Sequence, residues 1–97
     1  MPKGYWMTFY RSVSNPEALA RYAERALPAI EKAGGRFLVR GRAAKVYEAG
    51  ITERTILIEF DSLQAAIAAY ESPAYQAALK ILEGAVERDI RMVEGIS

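Results

Sequence analysis

Four segments of the chain are apolar on both sides of a two-residue alternation, and this pattern constrains the fold more than any other feature. The clearest two are GYWMTFY at residues 4–10 and RTILIEF at residues 54–60. A β-strand with one face in water alternates apolar and polar side chains, so these strands are predicted to be covered on both faces. The helices of a 97-residue chain suffice to cover one face of a four-stranded sheet. We therefore expect a second copy of the chain to cover the other face.

The composition excludes several classes of function. Apolar residues make up 52% of the chain and charged residues 26%, which is typical of one folded domain spanning residues 1–97. The 13 basic residues nearly balance the 12 acidic ones without forming a basic run, so neither nucleic acid nor a membrane surface is an expected partner. Because cysteine and histidine are both absent, we expect no disulfide, metal site or cofactor. No signal peptide or membrane span is visible, which makes the cytoplasm the expected location.

Local signals predict the order strand, helix, strand, strand, helix, strand, which is the split β-α-β arrangement of a ferredoxin-like α+β fold. Such a fold places its helices on one face of an antiparallel sheet. The predicted strands are residues 4–11, 36–40, 54–61 and 89–94, with a short extension of the second at 44–48.

The helices are predicted from their end signals and apolar spacing. Asn15-Pro16 marks the start of the first helix, and Gly34-Gly35 marks its end. Pro28 interrupts this helix and is expected to kink or break it near Leu27. Ser72-Pro73 ends one short helix and begins the next.

Strand parity divides the predicted sheet into two faces. One is nearly pure hydrocarbon and is expected to meet the helices: Met7, Phe9, Phe37, Val39, Ile56, Ile58 and Phe60. The other mixes aromatic, aliphatic, hydroxyl and charged side chains: Trp6, Thr8, Tyr10, Arg36, Leu38, Arg40, Thr55, Leu57 and Glu59. Such a mixture is typical of a small-molecule pocket and also of a subunit interface. A two-fold dimer packed through this second face would present both.

Arg40 and Glu59 are the candidate catalytic residues, because parity places both on the second face in neighbouring strands. In one interpretation they form a partly buried ion pair that fixes the strand register. In the other, Arg40 holds a ligand carboxylate or enolate while Glu59 moves a proton, which a raised glutamate pKa in a dry pocket would allow. The candidate ligand-binding residues are Trp6, Thr8, Tyr10, Leu38, Leu57, Ser72 and Tyr75.

Structural roles compete with ligand binding at three of these positions. Trp6 is also expected as a packing anchor, and Tyr75 as a core contact or hydrogen-bonded wedge. Ser72 is also expected as a helix cap, since the chain has no histidine that could activate its hydroxyl as a nucleophile.

Five short motifs, in this order, resemble the domain-of-unknown-function family 1330. They are KGYW at residues 3–6, GRFLVRG at 35–41, IEF at 58–60, SPAYQ at 72–76 and VEG at 93–95. The resemblance implies a ferredoxin-like subunit that pairs into a dimeric α+β barrel. It implies no single reaction, since related dimeric barrels include cofactor-independent monooxygenases, haem-degrading enzymes, isomerases and binding proteins. Arg42 follows Gly41 here, where the family often has a second glycine.

Two functions are consistent with these features. The first is a small enzyme that binds or transforms a carboxylate-bearing or aromatic metabolite in a pocket between the sheet and the dimer partner. The alternative is a dimer without enzymatic activity that binds a ligand or only packs, which the absence of histidine and cysteine favours. Under both, the expected partners are a second copy of the chain and a small molecule.

Overall fold

The computed structural model describes residues 2–96 as one antiparallel sheet with helices on one face. The elements are β1 (Gly4–Val13), α1 (Pro16–Lys32), β2 (Arg36–Arg42), β3 (Arg54–Phe60), α2 (Leu63–Glu71), α3 (Pro73–Leu79) and β4 (Val86–Glu94), with a 3-10 turn at Lys80–Leu82. The strand order is β2-β3-β1-β4, and every neighbouring pair is antiparallel. The predicted ferredoxin-like α+β order is confirmed, with the second helix divided in two at Ser72-Pro73.

Helix α1 begins and ends at the predicted signals. The Asn15 side chain accepts a hydrogen bond of 3.1 Å from the Ala18 N–H, which satisfies one of the free donors of the first turn. At the other end, Gly34 has a φ of +98°, and the Gly35 N–H donates to the Ile30 carbonyl at 2.9 Å. This Schellman geometry requires a left-handed residue, which explains the glycine.

Of the kink or break predicted near Leu27, the break is wrong, because one continuous helix passes through Pro28, and the kink stays a prediction. Proline there removes one backbone donor. The buried side chains of Ala26 and Ile30, on either side of it, belong to the same core cluster. Burial along the whole helix therefore outweighs the local cost of the proline.

Several strand boundaries also differ from the prediction, two of them with consequences for the site. Residues 44–48 form a loop instead of extending β2. Strand β4 begins at Val86 rather than Asp89, because β1 continues to Val13 and pairs with Val86 there. The longer pairing brings Arg88 into the sheet, where it becomes important below.

The predicted faces of β1 are reversed. Trp6 lies opposite Ile58 in β3, so both side chains point to the same face, and both are 1% exposed beneath the helices. Met7 and Phe9 point the other way. The alternation of β1 could not settle its orientation, because large apolar residues occupy both of its sides.

The face of the sheet away from the helices is only partly covered in the single chain. We call it the open face, and it carries Tyr5, Met7, Phe9, Arg36, Val39, Thr55, Leu57, Glu59, Asp89, Arg91 and Val93. Three of its apolar side chains keep 38–45% of their surface exposed: Phe9, Val39 and Val93.

A β-bulge at Leu38 changes the parity of β2. Phe37 lies opposite Ile58 and Val39 lies opposite Leu57, so Leu38 is the extra residue between them. The bulge puts Val39 on the open face and Arg40 on the helix-covered face, the reverse of the prediction. Bulges commonly re-aim side chains in this way, and an unbroken alternation cannot predict them.

Candidate functional site

The structure divides the predicted site residues between two sides of the sheet. The helix-covered side holds five of them: Trp6, Thr8, Tyr10, Arg40 and Tyr75. Leu57 and Glu59 lie on the open face. Leu38 is 53% exposed at the bulge, and Ser72 lies between α2 and α3. The predicted single site is therefore not assembled within one chain.

The predicted pairing of Arg40 with Glu59 is wrong. Arg40 lies opposite Ile56 on the helix-covered face, while Glu59 lies opposite Arg36 on the open face. The Glu59 carboxylate accepts hydrogen bonds from Arg36 Nε at 3.1 Å and from the Tyr5 hydroxyl at 3.2 Å. The bulge at Leu38 causes the separation, because it shifts the parity of every later residue in β2.

Two predicted binding hydroxyls are used inside the fold. Ser72 Oγ accepts from the Tyr75 N–H at 3.2 Å and donates to the Ala69 carbonyl at 2.8 Å, which caps α3 and closes α2. Thr8 Oγ1 accepts the indole N–H of Trp6 at 2.9 Å, so this buried polar pair is satisfied. Ser72, Thr8 and Trp6 thus have structural roles, and ligand binding by them stays a prediction.

Two carboxylates of the open sheet face and its edge, Asp89 and Asp61, have basic side chains beside them. Hydrogen bonds from Lys3 at 3.4 Å and Arg36 at 3.1 Å lower the pKa of Asp61 below its usual value. Arg91 donates two hydrogen bonds to Asp89, at 2.8 and 3.2 Å, and lowers the pKa of that carboxyl in the same way. Exposed pairs of this kind add little stability singly.

These lowered pKa values predict a loss of stability in acid. A carboxyl whose pKa is lower in the folded state stabilises the fold above its unfolded pKa, and the effect disappears as the pH falls through the folded value. We expect the melting temperature to fall between about pH 5 and pH 2. The fall should be shallower in the Asp61→Asn/Asp89→Asn variant than in the Glu71→Gln control, measured by circular dichroism. Equal slopes in both variants would contradict the assignment.

A partly buried arginine with tyrosines beside it lies on the helix-covered side of the edge strand β4. Arg88 of β4 donates to Tyr22 Oη of α1 at 3.3 Å and to Tyr75 Oη of α3 at 3.4 Å, and the two phenol oxygens are 2.6 Å apart. Its guanidinium carbon lies 5.6 Å from the ring centre of Tyr10, its cross-strand neighbour on β1, and 5.4 Å from that of Tyr22. We call Arg88, Tyr10, Tyr22 and Tyr75 the Arg88 cluster.

The cluster holds a positive charge without a negative partner. Within residues 2–96, no carboxylate lies within ion-pair distance of Arg88. Burial opposes the charge on Arg88, yet the Tyr75 and Tyr22 oxygens raise its pKa above the usual value. Burial also raises the pKa of the Tyr22 and Tyr75 phenols, so both are neutral at ordinary pH. A partly buried cation with only neutral acceptors is less well compensated than one with a carboxylate partner.

The cluster also has more donor hydrogens than acceptors. One phenol donates to the other, which uses a single hydroxyl hydrogen, and Arg88 donates to both oxygens. The hydroxyl hydrogen of the accepting phenol then has no acceptor among the described side chains. A guanidinium carries five N–H groups, and Arg88 uses two of them in hydrogen bonds to the phenols. The cluster can therefore receive further acceptor atoms, as an oxyanion would supply.

Two cavities flank the Arg88 cluster beneath the helices. The first, which we call the β4 cavity, measures about 510 Å³ and lies between α2, α3 and β4. Arg88 lines it together with Tyr70, Gln76, Leu79, Lys80, Leu82, Glu83, Gly84, Val86 and Ile90. The second, the α1 groove, measures about 300 Å³, lies between α1 and strands β1, β3 and β2, and reaches Tyr10 and Tyr22.

Sequence reasoning missed Arg88 and Tyr22. A signal for Arg88 existed, because it shares the two-residue period of Ile90 and Met92, which point into the core. A cation in phase with apolar residues that pack against the core is informative, since arginine is mostly exposed in proteins. Because β4 was predicted to begin at Asp89, Arg88 lay outside the predicted strand and this pattern was missed.

Comparison with known families confirms the resemblance seen in the short motifs. The family model for a domain of unknown function, DUF1330, matches residues 3–96. The chain belongs to this family. The sequence of this DUF1330 chain has no match among curated proteins. Within residues 2–96, no helix has both the length and the apolar character needed to cross a membrane.

Solved structures share the fold of this DUF1330 chain at low sequence identity. A Rhodopseudomonas palustris protein of unknown function has a TM-score of 0.74 and 18% identity, over 99% of this chain and 84% of that one. A candidate antibiotic biosynthesis monooxygenase from Nitrosomonas europaea has a TM-score of 0.63 and 15% identity, over 97% and 90%. A Thermobifida fusca protein described as dimeric and ferredoxin-like has a TM-score of 0.57 and 16% identity, over 96% and 91%. These likenesses concern the fold alone.

Proposed function

We propose that this DUF1330 chain binds a small organic anion, a carboxylate on an aromatic or aliphatic body, in the β4 cavity of each subunit of a homodimer. The observation that carries the proposal is Arg88, a partly buried guanidinium that lines a cavity of about 510 Å³ and has no carboxylate partner within residues 2–96. A ligand carboxylate would supply the missing charge.

The geometry of the Arg88 cluster supports an oxyanion in particular. Guanidinium N–H groups bind carboxylate oxygens in pairs. The phenols of Tyr22 and Tyr75 already occupy two of these N–H groups and hold the side chain in place. The donors left over point to a ligand that only accepts hydrogen bonds.

The rest of the cavity supports an apolar body for the ligand. Leu79, Leu82 and Ile90 present hydrocarbon, and Tyr70 adds an aromatic ring. Ligand pockets typically combine an apolar lining with a few polar groups that fix orientation, and the volume lies within their usual range of roughly 300–1,000 Å³.

The donor-rich cluster would also stabilise negative charge that develops on a bound oxygen, as in an enolate. Glu59 and Arg40 do not support the predicted joint acid–base role within one chain, because they lie on opposite faces. Binding without turnover, the alternative from the sequence, uses the same cavity and the same residues.

The dimer is supported by the open face. Val39, Leu57 and Met7 form a continuous cross-strand row there, Phe9 and Val93 are also exposed on this face, and an apolar surface of this kind marks an interaction site. The Thermobifida fusca protein with the same fold is described as dimeric. The ligand then lies under the helices of each subunit, instead of between the sheet and the partner as the sequence predicted.

The binding proposal is tested with benzoate as the probe and neutral benzamide as its matched comparison. By isothermal titration calorimetry, we expect the protein to bind benzoate and to bind benzamide at least about tenfold more weakly. Replacing Arg88 with glutamine should weaken benzoate binding by about ten- to a hundredfold, since charge-assisted hydrogen bonds are lost. Arg88→Lys, which keeps the charge, should retain part of the affinity.

The control is Arg25→Gln, which removes the same charge from an exposed position of α1. It should bind benzoate like the unchanged protein. Circular dichroism verifies that each variant is folded. Benzamide binding as tight as benzoate, or an Arg88→Gln variant with unchanged affinity, would contradict an anion site at Arg88.

A further inference from the structure

We infer that the α1 groove is a second binding site, which takes an amphipathic anion with a flexible apolar chain and a carboxylate head. This goes beyond the proposed function, because the lining of the groove shares no residue with the lining of the β4 cavity. Two observations carry the inference: an apolar interior of about 300 Å³, and two arginines on its lining without a carboxylate partner within residues 2–96.

The interior of the groove consists mostly of hydrocarbon. Helix α1 contributes small and aliphatic side chains, and the sheet contributes a ring and a branched chain: Leu19, Ala23, Ala26, Leu27, Phe37 and Ile56. Burial of hydrocarbon against such a surface stabilises a bound apolar chain. The alanines of α1 leave the space, because larger side chains at those positions would fill it.

The charged part of the lining is formed by Arg40 and Arg54. Arg40 lies opposite Ile56, and Arg54 lies opposite Arg42, so these side chains share the helix-covered face at one end of the β2–β3 pair. Arg42 reaches Glu53 at 3.4 Å and is compensated. Arg40 and Arg54 form no ion pair within residues 2–96. Both guanidinium groups are therefore available to a bound anion.

The bulge at Leu38 is what creates this arrangement. Without the extra residue, Arg40 would point to the open face together with Arg36. With it, the guanidinium of Arg40 lies 5.7 Å above the ring of Phe37, at the edge of the groove. The bulge therefore assigns to Arg40 the carboxylate-holding role predicted from the sequence, with Arg54 in place of Glu59 as its companion.

The chemistry selects one class of occupant. Two arginines on a lining that is otherwise largely hydrocarbon match a carboxylate that carries an alkyl chain. An acidic peptide would satisfy the arginines without filling the apolar interior, and a neutral alcohol would fill the interior without satisfying the arginines. Octanoate, a glutamate-rich peptide and octan-1-ol separate these three cases.

The test measures octanoate binding in the Arg88→Gln background, in which anion binding in the β4 cavity is weakened. By titration calorimetry, we expect octanoate to bind at least about tenfold more tightly than octan-1-ol. Adding Arg40→Gln and Arg54→Gln should weaken octanoate binding by about tenfold or more and leave the affinity for octan-1-ol unchanged. The control adds Arg21→Gln, an exposed position on α1. It should change neither the octanoate affinity nor the octan-1-ol affinity.

Backbone NMR then locates the probe. Octanoate should shift the amide signals of residues 19–27 and 54–56, whereas shifts confined to residues 79–90 would overturn the second site. Unchanged octanoate affinity in the Arg40→Gln/Arg54→Gln variant would also overturn it. A glutamate-rich peptide that bound as tightly as octanoate would overturn the alkyl-chain assignment. Each of these results is distinct from the benzoate experiment, which tests Arg88 alone.

Discussion

Replacing Trp6 with alanine is expected to lower the free energy of unfolding by about 3–5 kcal/mol. Trp6 is 1% exposed, and its ring packs edge-on against Tyr75 at 4.8 Å and Tyr70 at 5.4 Å and stacks near Phe60 at 6.5 Å. Truncation removes these contacts and leaves a cavity that neighbouring rings cannot fill. For a domain of this size, we expect a fall in melting temperature of more than about 12 °C, measured by calorimetry or urea unfolding.

The matched control is Ile67→Ala. Ile67 is 37% exposed on α2, away from both the core and the open face, so its truncation should cost less than about 1 kcal/mol. Trp6 is also the chain's one tryptophan, so its fluorescence reports its own surroundings. We expect blue-shifted emission that does not change when the protein is diluted. Emission that shifted to the red on dilution would place Trp6 in a subunit interface, as the strand parity predicted.

Local features of the chain were predictable because their causes are local. Asn15 and Ser72 cap helices through bonds to residues three positions away, and Gly34 ends α1 because its backbone requires a positive φ. The order of the elements followed from these signals and from apolar spacing. The core face of β3 was also predicted correctly, since Ile58 and Phe60 are buried.

The predictions that failed concern features that depend on contacts between distant segments. Both sides of β1 are apolar, so only its pairing with β3 decides that Trp6 rather than Met7 meets the helices. The bulge at Leu38 arises from the pairing of β2 with β3, and no residue type in GRFLVRG requires it. The ion pair predicted between Arg40 and Glu59 depended on that parity and failed with it.

The candidate site could not be predicted from the sequence for the same reason. Tyr22, Tyr75 and Arg88 lie on three different elements, and their hydrogen bonds join residues 13 to 66 positions apart. Sequence reasoning selected Tyr75, which follows a clear helix start, but had no means of bringing Arg88 to it. The sequence predicted a site of aromatic side chains with Arg40 as its arginine, and ligand binding by those residues stays a prediction.

Replacing Leu57 with lysine is expected to convert the proposed dimer into a monomer. Leu57 lies opposite both Met7 and Val39, at the middle of the open face. A two-fold interface would receive two lysines, one from each subunit, because the same surface is used twice. Each would be an unpaired charge buried among apolar groups, at a cost of about 3–5 kcal/mol. Dimer affinity should therefore fall by at least about a hundredfold.

Native mass spectrometry at low micromolar concentration measures this change directly. The unchanged protein should have a mass near twice 10.8 kDa, and the Leu57→Lys variant should have the mass of one chain. Ile67→Lys introduces the same charge on the exposed side of α2 and should leave the dimer intact. A variant that stayed dimeric would place the interface elsewhere, and an unchanged protein that was monomeric would leave the open face exposed to solvent. In the monomeric case, benzoate binding at Arg88 would still be expected, because the β4 cavity is formed within one chain.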